Sequence, residues 1–151
     1  HSPFKELSGM PIQPTSESST HGYIEIYPEF TEGLKDLEGF SHIYLIYHLH
    51  KANQANLTVT PFLDTTPHGV FATRAPSRPN PIGLSLIKLD HISGNKIYIE
   101  QLDILDKTPL LDLKPYIPAF EDGGNIRTGW LEKNSKKVHN AKSDRRFLDK
   151  S

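Results

Sequence analysis

The sequence predicts an all-β-dominated fold, a single small antiparallel β-barrel with short helical turns. Three observations carry this expectation. Twelve Pro and ten Gly interrupt the 151 residues too often for long helices. The stretches between them alternate apolar and polar residues with a period of two. Several such stretches follow at short spacing with turn residues between them, the pattern of a closed or nearly closed antiparallel sheet.

The first element is Tyr23 to Tyr27, in which large and polar side chains alternate. A helical turn is expected at Gly33 to Leu37. His42 to His50 (HIYLIYHLH) is rich in β-branched and aromatic residues. A strand there sets Ile43, Leu45, Tyr47 and Leu49 on one face and His42, Tyr44, Ile46, His48 and His50 on the other. Asn56 to Thr60, Gly69 to Thr73, Gly83 to Ile92 and Lys96 to Leu105 continue the series of strands. Ser93-Gly94-Asn95, between the last two, is a hairpin turn because Gly and Asn tolerate positive φ. Ala141 to Leu148 has a modest helical composition.

Length and composition narrow the class. A chain near 150 residues suits one domain that buries roughly two-thirds of its unfolded surface. With no Cys, disulfides, Cys-based zinc sites, iron–sulfur clusters and thiol catalysis are excluded together. No run approaches the roughly 20 apolar residues of a membrane span, and no charged-then-apolar leader opens the sequence, so a soluble, cytoplasmic protein without membrane partners is expected. The first residue is His1 rather than Met, which leaves room for an N-terminal strand ahead of it.

The net charge of −1 hides a split. Residues 133–151 carry seven basic and two acidic side chains, so the preceding 132 carry ten and sixteen. The domain is therefore drawn as 1–132 with a basic C-terminal tail, 133–151. By composition that tail reads first as a solvated, frayed terminus and second as a phosphate-seeking arm. No G-x-G-x-x-G, Walker A loop, H-E-x-x-H, G-x-S-x-G or EF-hand loop occurs, so a Rossmann cofactor site and the commoner hydrolase and calcium readings fall away.

The densest stretch is Gly69 to Leu89, GVFATRAPSRPNPIGLSLIKL. A strand from Val70 to Thr73 is expected to run into Arg74, after which Pro76, Pro79 and Pro81 fix φ near −65° up to Gly83. Such a loop is stiff, and a plain hairpin needs only two to five residues and no charge. Its use would be to hold the Arg74 and Arg78 guanidinium forks and the Asn80 amide in place for a carboxylate or phosphate, with little ordering entropy left to lose. The alternative is that both arginines pair with the acidic body while the prolines protect a sheet edge. His42, His48 and His50 share a strand face, but no further ligand is tied to them by local spacing, so no metal site is expected.

Phe71 to Ser85, F-A-T-R-x-x-x-R-P-N-P-I-G-L-S, resembles the signature of the TrmO (TsaA-like, or YaeB) family. HSPFKE at His1 to Glu6, PIQP at Pro11 to Pro14, LEGFSHIYLIYHLH at Leu37 to His50 and DILDKTPLLDLKPYIP at Asp103 to Pro118 agree with it in order. The resemblance covers residues 1 to about 132. It implies S-adenosylmethionine-dependent methyltransferases on a small non-Rossmann β-barrel. These act as homodimers, without a metal, on N6 of threonylcarbamoyladenosine beside the tRNA anticodon. Two departures stand out. Longer members carry a second small domain where this chain has only the basic tail, and the family's D-G-T-P turn is D-K-T-P here, Asp106 to Pro109.

The resemblance also implies a cofactor pocket lined by Pro11, Ile12, Gln13, His50, Lys51, Arg74, Leu84, Asp103, Ile104, Leu105 and Asp106. The chemistry is apt: Arg74 or Lys51 suits the donor's carboxylate, Asp103 or Asp106 its ammonium or ribose, and Leu84, Ile104 and Leu105 its adenine. Read without the resemblance, the two aspartates are also strand-end turn residues. Arg78, Asn80, Lys114 and Tyr116 are the candidates for the substrate. Tyr116 and Trp130 could stack on an unpaired base, though core packing is the better default for both. For the proton on the acceptor nitrogen the candidates are Asp103, Asp106, His50 and Tyr116, with positioning catalysis and no dedicated base preferred.

Overall fold

The structure, a computed structural model, describes residues 1–14, 20–52, 54–121, 123–133, 141–144 and 147. Its strands are β1 (His21–Glu25), β2 (His42–His48), β3 (Thr58–Val59), β4 (His68–Gly69), β5 (Ile82–Ser93), β6 (Lys96–Glu100) and β7 (Leu110–Pro115). Short 3-10 turns occupy Pro28–Leu34, Leu37–Gly39, Val70–Ala72 and Gly129–Lys133, and a single α-helical turn occupies Pro118–Glu121. Among the described residues no helix is long and apolar enough to cross a membrane.

The all-β expectation holds, with closure as the difference. Five antiparallel strands form one sheet in the order β1-β6-β5-β2-β7, and β3 and β4 form a separate ribbon. The edge strands β1 and β7 do not pair, so the sheet is open rather than a barrel. Its inner face, led by Ile43, Leu45, Ile87, Ile97 and Ile99, is covered by segments outside the strands: Phe4, Leu37, Phe40, Leu102 and Ile104. Burial along β2 alternates as period two requires, with Ile43, Leu45 and Tyr47 buried.

Several elements depart from the sequence reading, among them the helical turn expected at 33–37, which is split between the 3-10 turns Pro28–Leu34 and Leu37–Gly39. Val70–Ala72 is a 3-10 turn, not a strand. The Thr73 hydroxyl donates to the Val70 carbonyl at 2.9 Å and accepts from the Ala75 amide at 3.2 Å, which curls the chain. The strand expected to reach Leu105 stops at Glu100, because Gln101 adopts φ 64 and its amide turns to the Thr20 carbonyl. That left-handed residue sends Leu102 into the core and lets Asp103 emerge near β5. β7 was not anticipated: its flanking prolines and its Asp-Leu-Lys run hide an edge strand, where a terminal Pro is tolerated. The hairpin at 93–95 forms as expected, with Gly94 at φ 60. Of the expected 141–148 helix, residues 145, 146 and 148 lie outside the described residues, and Lys142 forms an isolated antiparallel bridge with Pro11 instead.

Candidate functional site: a cavity where β2 ends and β5 begins

A cavity of about 340 Å³ opens beside the last residues of β2 and the first of β5, a volume within the usual range for small-molecule sites. The sheet supplies one wall. Tyr47 pairs with Gly83 across β2 and β5, and both line the cavity with Leu84. A Cβ at Gly83 would lie 2.2 Å from Tyr47 Cε2, so only glycine lets the ring rest on this backbone. Beyond β2 a tight turn, closed by the Ala52 amide on the Leu49 carbonyl at 2.9 Å, presents His50 and Lys51.

Asp103 is the electrostatic centre of this wall. Its Oδ1 accepts from the Ser85 hydroxyl at 2.8 Å, and Ser85 Oγ lies 3.0 Å from the Tyr47 hydroxyl. Burial pushes the Asp103 carboxyl up to about 6, against the opposing pull of the Ser85 hydrogen bond, its own backbone amide and the Arg74 charge. Tyr47 is raised well above the ordinary phenol value, first by burial and then by the nearby Asp103.

The proline–arginine loop supplies the mouth. Arg74 lines the cavity, remains exposed, and donates from Nη1 to Gln13 Oε1 at 2.8 Å. Arg78 turns inward instead: its Nη1 reaches the Val70, Thr73 and Ala75 carbonyls at 3.1, 2.8 and 3.4 Å. It thus braces the 3-10 turn and holds Thr73, Arg74 and Pro76 against the cavity. Further pins are the Leu49 amide on the Pro81 carbonyl at 2.7 Å and the Asn56 amide on the Ser77 carbonyl at 3.0 Å.

The two ends of the described chain supply the remaining wall. The Gly9 and Ile12 amides donate to the Ser143 and Ala141 carbonyls, and the Ser143 amide donates to Met10 O at 2.8 Å. Phe147 meets Phe62 edge-on at 5.1 Å, and both line the cavity with Leu7, Met10, Ser143 and Asp144. Part of the segment drawn as a basic tail is therefore packed on the domain.

Pro11, Ile12, Gln13, His50, Lys51, Arg74, Leu84, Asp103, Ile104 and Leu105 all line this one cavity. Asp106 does not: its carboxylate takes Lys5 Nζ at 2.5 Å and the Ser2 amide at 3.0 Å, contacts that hold it down to about 2, the Lys5 bond foremost. Of the substrate candidates Arg78 lines the cavity, whereas Asn80, Lys114 and Tyr116 do not. Asn80 is exposed, Lys114 pairs with Asp112 at 2.9 Å, and Tyr116 packs edge-on against Tyr44. Trp130 stacks on His68 and donates to the Ala72 carbonyl, a packing contact of the β3–β4 ribbon. The sequence reading missed Tyr47, Ser85, Ser143 and Phe147. Only Ser85 left a trace, a hydroxyl at the buried parity of a strand otherwise apolar on that side.

Comparison with known proteins follows the same lines. The sequence profile of the tRNA-methyltransferase O N-terminal domain matches residues 1–122. A probable S-adenosyl-L-methionine-binding protein of Pyrococcus abyssi is 54% identical over 148 residues, covering 98% of this chain and 80% of that protein. A mouse tRNA (adenine(37)-N6)-methyltransferase is 36% identical over 130 residues, covering 82% of this chain and 30% of the mouse protein. A crystal structure of TrmO from Pseudomonas aeruginosa superposes with a TM-score of 0.72 at 35% identity, covering 86% of this chain and 58% of that one. The chain thus spans a little over half of the bacterial structure and under a third of the mouse enzyme. With a matching profile over four-fifths of its length and the same fold, this chain belongs to the tRNA-methyltransferase O family.

Proposed function

We propose that the chain is an S-adenosylmethionine-dependent methyltransferase that modifies N6 of the adenosine beside the tRNA anticodon, in the cytoplasm, with threonylcarbamoyladenosine as the acceptor. The observation that carries this reading is convergence: residues 11–13, 50–51, 74 and 103–105, far apart in sequence, meet on one cavity. The donor set fits the cofactor. Arg74 and Lys51 are cations for its carboxylate, Asp103 is an anion for its ammonium, and Met10, Leu49, Leu84, Ile104 and Leu105 offer apolar walls for adenine.

S-adenosylmethionine supplies an electrophilic methyl group on a sulfonium. The chain's part is to bind, orient and exclude water, and correct placement of two reactants contributes roughly 7–11 kcal/mol. No dedicated base is invoked. A homodimer is part of this reading, and a dimer by light scattering is the expected result.

One observation favours a second reading, a cofactor-binding module without transfer activity: Asn80, Lys114 and Tyr116 lie outside the cavity, so the acceptor side is not assembled around it. Labelled cofactor mixed with tRNA carrying or lacking the threonylcarbamoyl group decides. Label on the modified tRNA alone is expected, label on neither favours the binding module, and equal label on both overturns the acceptor assignment.

A further inference from the structure

The inner side of β5 carries Gly83, Ser85, Ile87 and Leu89, and Ser85, 1% exposed, is its one hydroxyl. Burying a hydroxyl in a core is unfavourable unless it is paired, and here two are buried together, Ser85 and Tyr47. Their hydrogen bonds have a defined direction. An ionised carboxylate only accepts, so Ser85 gives its single proton to Asp103, and Tyr47 in turn donates to Ser85 Oγ. Tyr47 is held for this task, since its ring lies on the bare backbone of Gly83 and reaches diagonally to Ser85. Ala and Phe would fill the same space; the two hydroxyls add only a chain of protons that ends at the cavity.

We propose that Ser85 and Tyr47 are the positioning residues of this site: they fix Oδ1 of Asp103 so that its carboxylate serves as the anionic anchor for the ammonium of the methyl donor. The inference rests on reading the cavity as the donor site. The charged and titratable groups sharing the cavity with Asp103 are His50 and Lys51 after β2, Arg74 and Arg78 of the proline loop, and Asp144 of the C-terminal stretch.

The test is a carbon-13 NMR titration of the Asp103 carboxyl in the intact chain, run beside calorimetry of S-adenosylmethionine binding across the same pH range. In the wild type the carboxyl titrates near 6, and donor affinity falls as pH drops through that value, because the protonated group no longer attracts an ammonium. Ser85→Ala removes a hydrogen bond that favours the ionised form, so the midpoint rises by about one unit and the bend in donor affinity moves with it. Tyr47→Phe leaves the Ser85 hydroxyl donating to Asp103 and gives a smaller rise in the same direction. Thermal unfolding verifies that each variant folds, and if Ser85→Ala does not, Tyr47→Phe carries the test alone. An unmoved midpoint in the folded variants overturns the positioning role. A midpoint that moves in a protein that binds no donor at any pH supports the hydrogen-bond chain and overturns the donor-site reading instead.

Discussion

The two long walls of the cavity are built by different means. Tyr47, Gly83 and Leu84 belong to paired strands whose neighbours Leu45 and Ile87 are 2% and 0% exposed, so this wall is anchored in the core of the domain. The opposite wall, Leu7 to Gln13 with Ser143 and Phe147, rests on a few main-chain hydrogen bonds, the Ser143 hydroxyl on the Leu7 carbonyl, the Arg74–Gln13 bond, and the packing of Phe147 on Phe62 and the small Val59, Val70 and Ala75 cluster, away from the main core. Local opening is governed by how many buried contacts must break, so the first wall opens only with the whole fold while the second has its own, lower threshold. The sheet wall is preformed, and the terminal wall is where affinity can be adjusted without loss of the fold.

The sharpest way to break this contrast is Ile87→Ala. It should remove about 2–5 kcal/mol of stability in denaturant unfolding, because the strand cannot collapse onto the void. Next comes the Asp103 carboxyl, raised from 3.8 to about 6 by burial. Between those values the folded state holds a proton that the unfolded state has released, so its contribution to stability is present below about pH 4 and is lost as pH rises through about 6. The difference is about 3 kcal/mol, and Asp103→Asn should abolish it in urea unfolding followed across pH. Arg74→Ala should weaken the methyl donor by more than tenfold, about 1.4 kcal/mol by calorimetry, with the melting temperature little changed; unchanged affinity removes Arg74 from the site.

Phe147→Ala tests the terminal wall directly. It should speed hydrogen exchange at the Gly9 and Ser143 amides while amides of β2 and β5 keep their protection; equal acceleration everywhere would show that the two walls open as one. The smallest effect belongs to Lys107, held at φ 60, a left-handed conformation that glycine adopts without strain. Lys107→Gly relieves left-handed strain but loosens the unfolded chain, leaving a net gain of about 0.5 kcal/mol in unfolding experiments.

Period-two alternation made β2, β5 and β6 legible, since half-buried strands write their faces into the sequence. Gln101 was not legible, because a left-handed turn at a residue other than Gly or Asn is imposed by packing from outside, and here it separates Leu102 in the core from Asp103 at the cavity. Barrel closure could not be judged either: alternation reports that a strand has two faces, and is silent on whether its edges are paired. At the site, the rigidity of the loop was visible in its three prolines, but not the division of labour between its arginines, which depends on three carbonyls that a curled Val70–Ala72 turn brings together. Asp103 and Asp106 look alike in sequence, yet Lys5, about a hundred positions away, claims the second. Ser143 and Phe147 left no local pattern at all.

The hydrogen bond from Ser143 to the Leu7 carbonyl joins residues 136 positions apart. During synthesis, therefore, the strands can pair and the proline loop can set while the cavity still lacks a side. Only when residue 147 has cleared the ribosome can that last seam close, so a nascent chain should acquire its fold well before it can retain a small molecule.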